Sequence, residues 1–305
     1  MSETANIEVS SAVQPRIWIA ALRPTHWIKN LLLVAPVLSA HVDPSLDMIG
    51  RLALGILLMS FAASSGYLVN DLRDHVADRQ HAYKHKRPVA AGKISRRDAA
   101  LMALFLGWGA ISLSCTFFGS KVGMLLAAYM LLTVSYSFFF KRLPVVDVLI
   151  LAALYVWRLM IGAEIAGIDM SPWLLVFGYS LFVALALVKR VDELAALDVA
   201  NSTALAGRAY RRNHLSAVLS FSVIFALFSL AILAAYIGFS EAAKAYYHAR
   251  SWLWVATALL GLWLARLLRR SAAGRLGGDP MVFAASDPVS LALAVCVTVT
   301  FIAAA

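Results

Sequence analysis

Long apolar runs separated by short polar segments recur along almost the whole chain. Nine of them, at about residues 25–41, 48–70, 98–117, 121–140, 145–167, 173–190, 214–238, 251–269 and 286–304, are long enough to cross roughly 30 Å of hydrocarbon as helices. A helix satisfies its backbone hydrogen bonds internally, so the pattern predicts an all-α, integral membrane bundle of nine transmembrane helices. Residues 1–20 read as a disordered, cytoplasmic N-terminal segment, and residues 21–305 as one transmembrane domain. The run from Lys29 to Ala40 has the outline of a signal peptide, but it starts some thirty residues in and further runs follow it. It reads as the first membrane helix.

Composition agrees with lipid as the solvent. The chain is 61% hydrophobic and only 14% charged, with a mean hydropathy of +0.77, whereas a soluble domain carries about 25% charged residues. The net charge of +10 would fit nucleic acid if the basic residues formed one stripe, but they sit in short segments between apolar runs. Assigning alternate loops to one side gathers 22 of the 27 Lys and Arg there. That bias predicts a cytoplasmic N-terminus and an external C-terminus, and no nucleic-acid partner. Cys115 and Cys296 lie in apolar context without Cys-x-x-Cys spacing and read as small buried hydrophobes.

Two loops on the basic side, residues 71–97 and 189–213, are longer and more polar than the others and lie four spans apart. At the first, Asn70, Asp74 and Asp78 recur every four residues and share a helix face, with Asp71 beside them. Carboxylates so placed repel one another, and a hard divalent cation is the usual remedy. Mg²⁺ takes one or two carboxylates together with substrate phosphates, so the cluster implies a phosphate or diphosphate ligand. The competing reading is a solvated helix end whose acids pair with Arg73, Arg79 and Lys84. At the second loop, Lys189, Arg190 and Glu193 bring cations to a comparable helix end, with Lys189 and Glu193 spaced for an ion pair. Arg158 lies in mid-span, where ionisable groups face the bundle interior with a partner, and its i+6 spacing from Glu164 favours contact with a ligand. Lys29 opens the first span, and Tyr136 and Lys141 close the fourth.

The segment Asn70-Asp71-x-x-Asp74-x-x-x-Asp78, followed by Lys86-Arg87-Pro88 and Ala91-Gly92, resembles the first signature of the UbiA-type membrane prenyltransferases. The resemblance implies a nine-helix bundle with a central cavity, and Mg²⁺ held on a diphosphate by Asp-rich helix ends. Most members carry a second Asp-x-x-x-Asp motif where this chain has Lys189 to Glu193. That departure is similar to the decaprenyl-phosphate phosphoribosyltransferase branch, which also includes a rhizobial nodulation protein. The likeness extends to Arg23-Pro24-x-x-Trp27-x-Lys29-Asn30, Tyr136-Ser137 with Lys141, Val146-Asp147, Arg158, and Lys189-Arg190-x-x-Glu193-Leu194.

The resemblance implies Mg²⁺-dependent transfer of 5-phosphoribose from phosphoribosyl diphosphate to a polyprenyl phosphate in a bacterial cytoplasmic membrane. The product would be a precursor for arabinosylating a cell-envelope glycan or a nodulation factor. Asn70, Asp74 and Asp78 would hold the metal and diphosphate. Lys29, Arg87, Tyr136, Lys141, Arg158, Lys189 and Arg190 would grip phosphates, with Glu193 near the ribose or orienting Lys189. Prenyl transfer to an aromatic acceptor is the alternative within the fold, and lipid-linked sugar transport the alternative from another class.

Overall fold

A computed structural model describes residues 15–80, 84–197, 205 and 208–305 of the chain. The described residues form helices and connecting segments, with no strand among them. Pro15–Leu22 (α1) leads into a 3₁₀ segment, Pro24–Val34, and a short helix, Ala35–Ala40 (α2). The long helices are Leu46–Arg79 (α3), Arg96–Phe118 (α4), Ser120–Phe138 (α5), Val146–Ala166 (α6), Pro172–Ala195 (α7) and Leu215–Phe239 (α8). Glu241–Tyr246 (α9), Ser251–Ala272 (α10), Pro280–Ser286 (α11) and Pro288–Ala304 (α12) complete the chain. Side-chain caps fix several starts: Ser45 accepts from Met48 N, Ser95 from Asp98 N, and Asp287 from Ser290 N.

Among the described residues, seven helices are long and apolar enough to cross a membrane, or eight if α11 and α12, bent by 86°, count as one span. The chain is thus a multi-pass membrane protein, and the first of the nine expected spans is not one continuous helix. Residues 25–41 form the 3₁₀ segment followed by α2, with Pro24 starting the segment and Pro36 at the beginning of α2. Residues 1–14 of the segment expected to be disordered lie outside the described residues, while residues 15–20 are helical within α1.

The helices divide into an interior and a rim. In α3, α6 and α7, 61% of the apolar span is buried, against 28% in α4, α5 and α8 and 22% in α10. The first three form the centre, and the others present apolar side chains such as Leu104, Phe105, Leu131 and Leu262 outward. Cys115 on α4 and Cys296 on α12, expected to be buried, are exposed instead, and a small apolar thiol suits a lipid-facing surface as well as a core. One core joins α6, α7, α8 and α10; a second joins the 3₁₀ segment, α2, α3, α5 and α6. α6 belongs to both. Gly162 on α6 permits an especially close approach, because a Cβ there would sit 2.1 Å from the Leu33 carbonyl oxygen. The 3₁₀ segment is therefore seated directly on α6, one turn beyond Arg158. At 34 residues, α3 is about 50 Å long, well beyond the hydrocarbon thickness. Its surplus length carries the face of Asn70, Asp74 and Asp78.

Candidate active site

A cavity of about 440 Å³ opens between the central helices. α3 contributes Asn70, Asp74 and Asp78; the 3₁₀ segment contributes Lys29; α6 and α7 contribute Arg158 and Lys189. Tyr136 and Lys141 enter from the end of α5 and the segment after it, and Arg87 from the loop after α3. These sequence-selected residues, far apart along the chain, line one space. Arg190 and Glu193 do not line it.

The α3 acids do not stand as an isolated carboxylate cluster. Asp74 accepts from Lys141 Nζ at 2.6 Å, and buried Asp78 from Arg87 at 2.7 Å. Buried Asp71 pairs with Arg23 and, at 3.2 Å, with Arg87. Counter-ions therefore come from Arg23, Arg87 and Lys141. Arg73 and Arg79 instead donate to the carbonyls of Phe138 and Ala90. Burial pulls the Lys141 ammonium below the usual lysine range, against its bond to Asp74.

No group of three His, Cys, Asp or Glu side chains among the described residues is arranged to hold a metal by itself. The donors do fit Mg²⁺ shared with a diphosphate. Asp74 and Asp78 supply two carboxylates and Asn70 an amide oxygen along one helix face, and such an ion takes its remaining ligands from substrate and water.

On α6, Arg158 is 5% exposed and donates to Asn30 Oδ1 at 3.0 Å, Tyr129 Oη at 2.7 Å and the Leu154 carbonyl at 2.6 Å. Glu164, the partner disfavoured on spacing, pairs with Lys121 at 2.6 Å. Arg158 thus reaches the cavity already oriented. Planar guanidinium groups held this way suit phosphate recognition.

Arg190 and Glu193 form the support behind that wall. Fully buried Arg190 donates to Asp147 at 2.8 Å, pairs with Glu193, and reaches Tyr136 Oη at 3.4 Å. Arg208, which does line the cavity, joins the network through Asp147 and Tyr136, each at 3.3 Å. Glu193 therefore orients Arg190 and not Lys189. Tyr210 donates to Asp147 at 2.7 Å, and burial, reinforced by that carboxylate, raises its phenol above the usual range.

Sequence reasoning missed Asp279. It lies just before α11, lines the cavity, accepts from Lys29 at 2.5 Å and forms a longer ion pair with Lys189 at 3.5 Å. Burial works to raise its pKa, but the two ammonium groups overcome this and hold the carboxyl well below its usual range. Gly277-Gly278-Asp279-Pro280 does carry a readable signal, an N-cap before a first-turn proline, but it marks a helix start and not a cavity wall. Asp192, beside Glu193, also turns from the cavity and accepts from Leu276 N at 2.8 Å and Gly277 N at 3.2 Å.

Residues 31–284 match the UbiA prenyltransferase family. The chain is 30% identical over 291 residues to nodulation protein NoeC of Azorhizobium caulinodans, covering 94% of this chain and 92% of that protein. It is 31% identical over 291 residues to the uncharacterized protein y4nM of Sinorhizobium fredii, covering 94% and 55% of the two. Against decaprenyl-phosphate phosphoribosyltransferase of Corynebacterium glutamicum it is 38% identical over 174 residues, 54% of this chain and 52% of that one. The chain thus spans about half the length of the last two. A UbiA homologue from Archaeoglobus fulgidus, solved with GPP and Mg²⁺, superposes with a TM-score of 0.70 at 18% identity, over 93% of this chain and 99% of that one. The fold and the matched sequence agree: the chain belongs to the UbiA prenyltransferase family.

Proposed function

We propose that the cavity transfers 5-phosphoribose from phosphoribosyl diphosphate to a polyprenyl phosphate, with Mg²⁺ as cofactor. The observation that carries this reading is the α7 end of the cavity. Lys189 lines it, while Asp192 and Glu193 at the same helix end are engaged by the Leu276–Gly277 backbone and by Arg190. A cation there fits a second anionic substrate better than a second carboxylate-bound metal. The names of the Corynebacterium and Azorhizobium relatives support the same branch.

Asn70, Asp74 and Asp78 would hold Mg²⁺, which when bound offsets the charge gathering on the departing diphosphate. Arg87 and Lys141, paired with those acids, bring further positive charge to that end of the cavity. Lys29, Arg158, Lys189 and Arg208 reduce the repulsion between two anionic substrates and fix their approach. A phosphate oxygen of the lipid forms the bond to ribose C1 as the bond from C1 to diphosphate breaks, and diphosphate leaves with the electron pair. The acceptor is already anionic, so this step requires no strong general base. Arg190 and Glu193 act from behind, holding Tyr136 and Arg208. The isoprenoid lies along apolar helix faces toward the bilayer.

In the cell we place the site at the cytoplasmic side of a bacterial inner membrane. The product would feed arabinosylation of an envelope glycan or a nodulation factor. The test is purified protein in detergent with Mg²⁺, labelled phosphoribosyl diphosphate and a polyprenyl phosphate, beside Asp74→Ala and Lys189→Ala. Labelled lipid from the wild type and its loss in both variants is the expected result. No labelled lipid, with turnover of a prenyl diphosphate onto an aromatic acceptor, would overturn it.

A further inference from the structure

Two ammonium groups, from distant parts of the chain, meet on one carboxylate in the cavity. Lys29 of the 3₁₀ segment lies 2.5 Å, and Lys189 of α7 3.5 Å, from the same Oδ2 of Asp279. Both lysines line the cavity. Left alone they would repel each other, and each long side chain would sample many rotamers. The other oxygen, Oδ1, accepts from Met281 N at 3.1 Å and lies 3.5 Å from Tyr155 Oη. Capping α11 does not require the charge, because Asn or Ser caps a helix as well as Asp does.

The loop bearing Asp279 is itself fixed. Gly277 and Gly278 take φ values of 76° and 140°, which favour glycine, and Asp192 receives the backbone N–H groups of Leu276 and Gly277. The acid at the end of α7 thus anchors the loop that delivers an acid to the cavity.

We propose that Asp279 is a positioning residue that sets Lys29 and Lys189 as a paired clamp for a substrate phosphoryl group, with Asp192 fixing the loop that presents it. An ammonium has three donors, so Lys29 can bond Asp279, and Lys189 can pair with it, while both still offer donors to a phosphate. The inference rests on reading the cavity as an anion site. The phosphoryl group belongs either to the diphosphate substrate or to the lipid acceptor.

Asp279→Asn tests the clamp because two accounts differ in sign. Removing a negative charge from a cationic cavity should, by Coulomb attraction alone, tighten an anion. Loss of the clamp should weaken it. The full chain in detergent with Mg²⁺ is titrated calorimetrically with inorganic diphosphate and, separately, with farnesyl phosphate. We expect about tenfold weaker binding of one of them in Asp279→Asn, the scale of a charge-assisted hydrogen bond. Whichever probe weakens identifies the source of the phosphoryl group.

Asp279→Glu should recover part of the affinity. Adding Lys189→Met to Asp279→Asn should cost less than Lys189→Met costs alone, as expected for residues acting as a unit. Unchanged or tighter binding of both probes in Asp279→Asn would overturn the proposal, as would additive effects in the cycle. If Asp279→Asn does not fold, the wild-type, Asp279→Glu and Lys189→Met titrations decide: Glu tighter than wild type for both probes counts against the clamp. Failure of phosphoribosyl transfer alone is read separately, because diphosphate is also released in prenyl transfer.

Discussion

Gly162→Ala should impair the cavity without touching any group that lines it. A Cβ at Gly162 would lie 2.1 Å from the Leu33 carbonyl oxygen, 2.6 Å from its Cα and 2.7 Å from its carbonyl carbon. These are backbone atoms and cannot rotate away. To restore an ordinary contact of 3.4 Å, the 3₁₀ segment must retreat from α6 by about 1.3 Å. That segment carries Lys29 and Asn30, and Asn30 accepts from Arg158 at 3.0 Å. A retreat of that size breaks the bond and frees one side of the guanidinium. Overpacking of this kind costs about 1–3 kcal/mol of stability. A misplacement of about 1 Å in a positioned group lowers turnover by up to about 10²-fold. Gly50→Ala on α3 is the control, because a Cβ there meets nothing within 4 Å. It should be neutral or slightly stabilising through helix propensity. Both proteins would be purified in the same detergent and compared for melting temperature and transfer of labelled phosphoribose to lipid. Wild-type melting and turnover in Gly162→Ala would refute the link from this contact to the cavity.

Other consequences follow from the same contacts. Asp147→Ala leaves fully buried Arg190 with less countercharge and removes the acceptor of Tyr210, so it should lower stability by about 3 kcal/mol, read as a fall in melting temperature. Arg158→Met removes the bonds to Asn30 and Tyr129 and should cut turnover by at least about tenfold, measured at saturating substrates. Chelation of Mg²⁺ should abolish transfer, with recovery on adding the metal back, measured as labelled lipid. Asp279 has a depressed folded pKa, so its contribution to stability is present above about 3.9, its unfolded value, and is lost as pH falls through the folded value. The melting-temperature gap between wild type and Asp279→Asn should therefore hold steady from neutral pH to about pH 5 and narrow below about pH 4.

Much of the site was readable because it repeats with the helical period. Asn70, Asp74 and Asp78 fall on one face of α3 by spacing alone, and the structure turns that face to the cavity. Arg158 stood out because a charge in an apolar run needs an interior. Lys189 and Arg190 mark where one-dimensional reading fails. They are neighbours in sequence, but successive helix positions are about 100° apart, so one reaches the cavity while the other is buried against Asp147 on α6. The first span could not be read as 3₁₀ backbone, since hydropathy reports length and polarity and not hydrogen-bond register. Asp279 was hidden for a different reason. Its partners lie 250 and 90 positions earlier, and only tertiary packing brings Lys29 and Lys189 to it.

The central claim is the identity of the group transferred, and a competition experiment addresses it most directly. Wild-type protein would be given Mg²⁺, phosphoribosyl diphosphate, a prenyl diphosphate, a polyprenyl phosphate and an aromatic acceptor together, and the products resolved by mass spectrometry. The account predicts polyprenyl phosphate carrying 5-phosphoribose, with the aromatic acceptor unchanged. A prenylated aromatic product, with the polyprenyl phosphate unmodified, would contradict it.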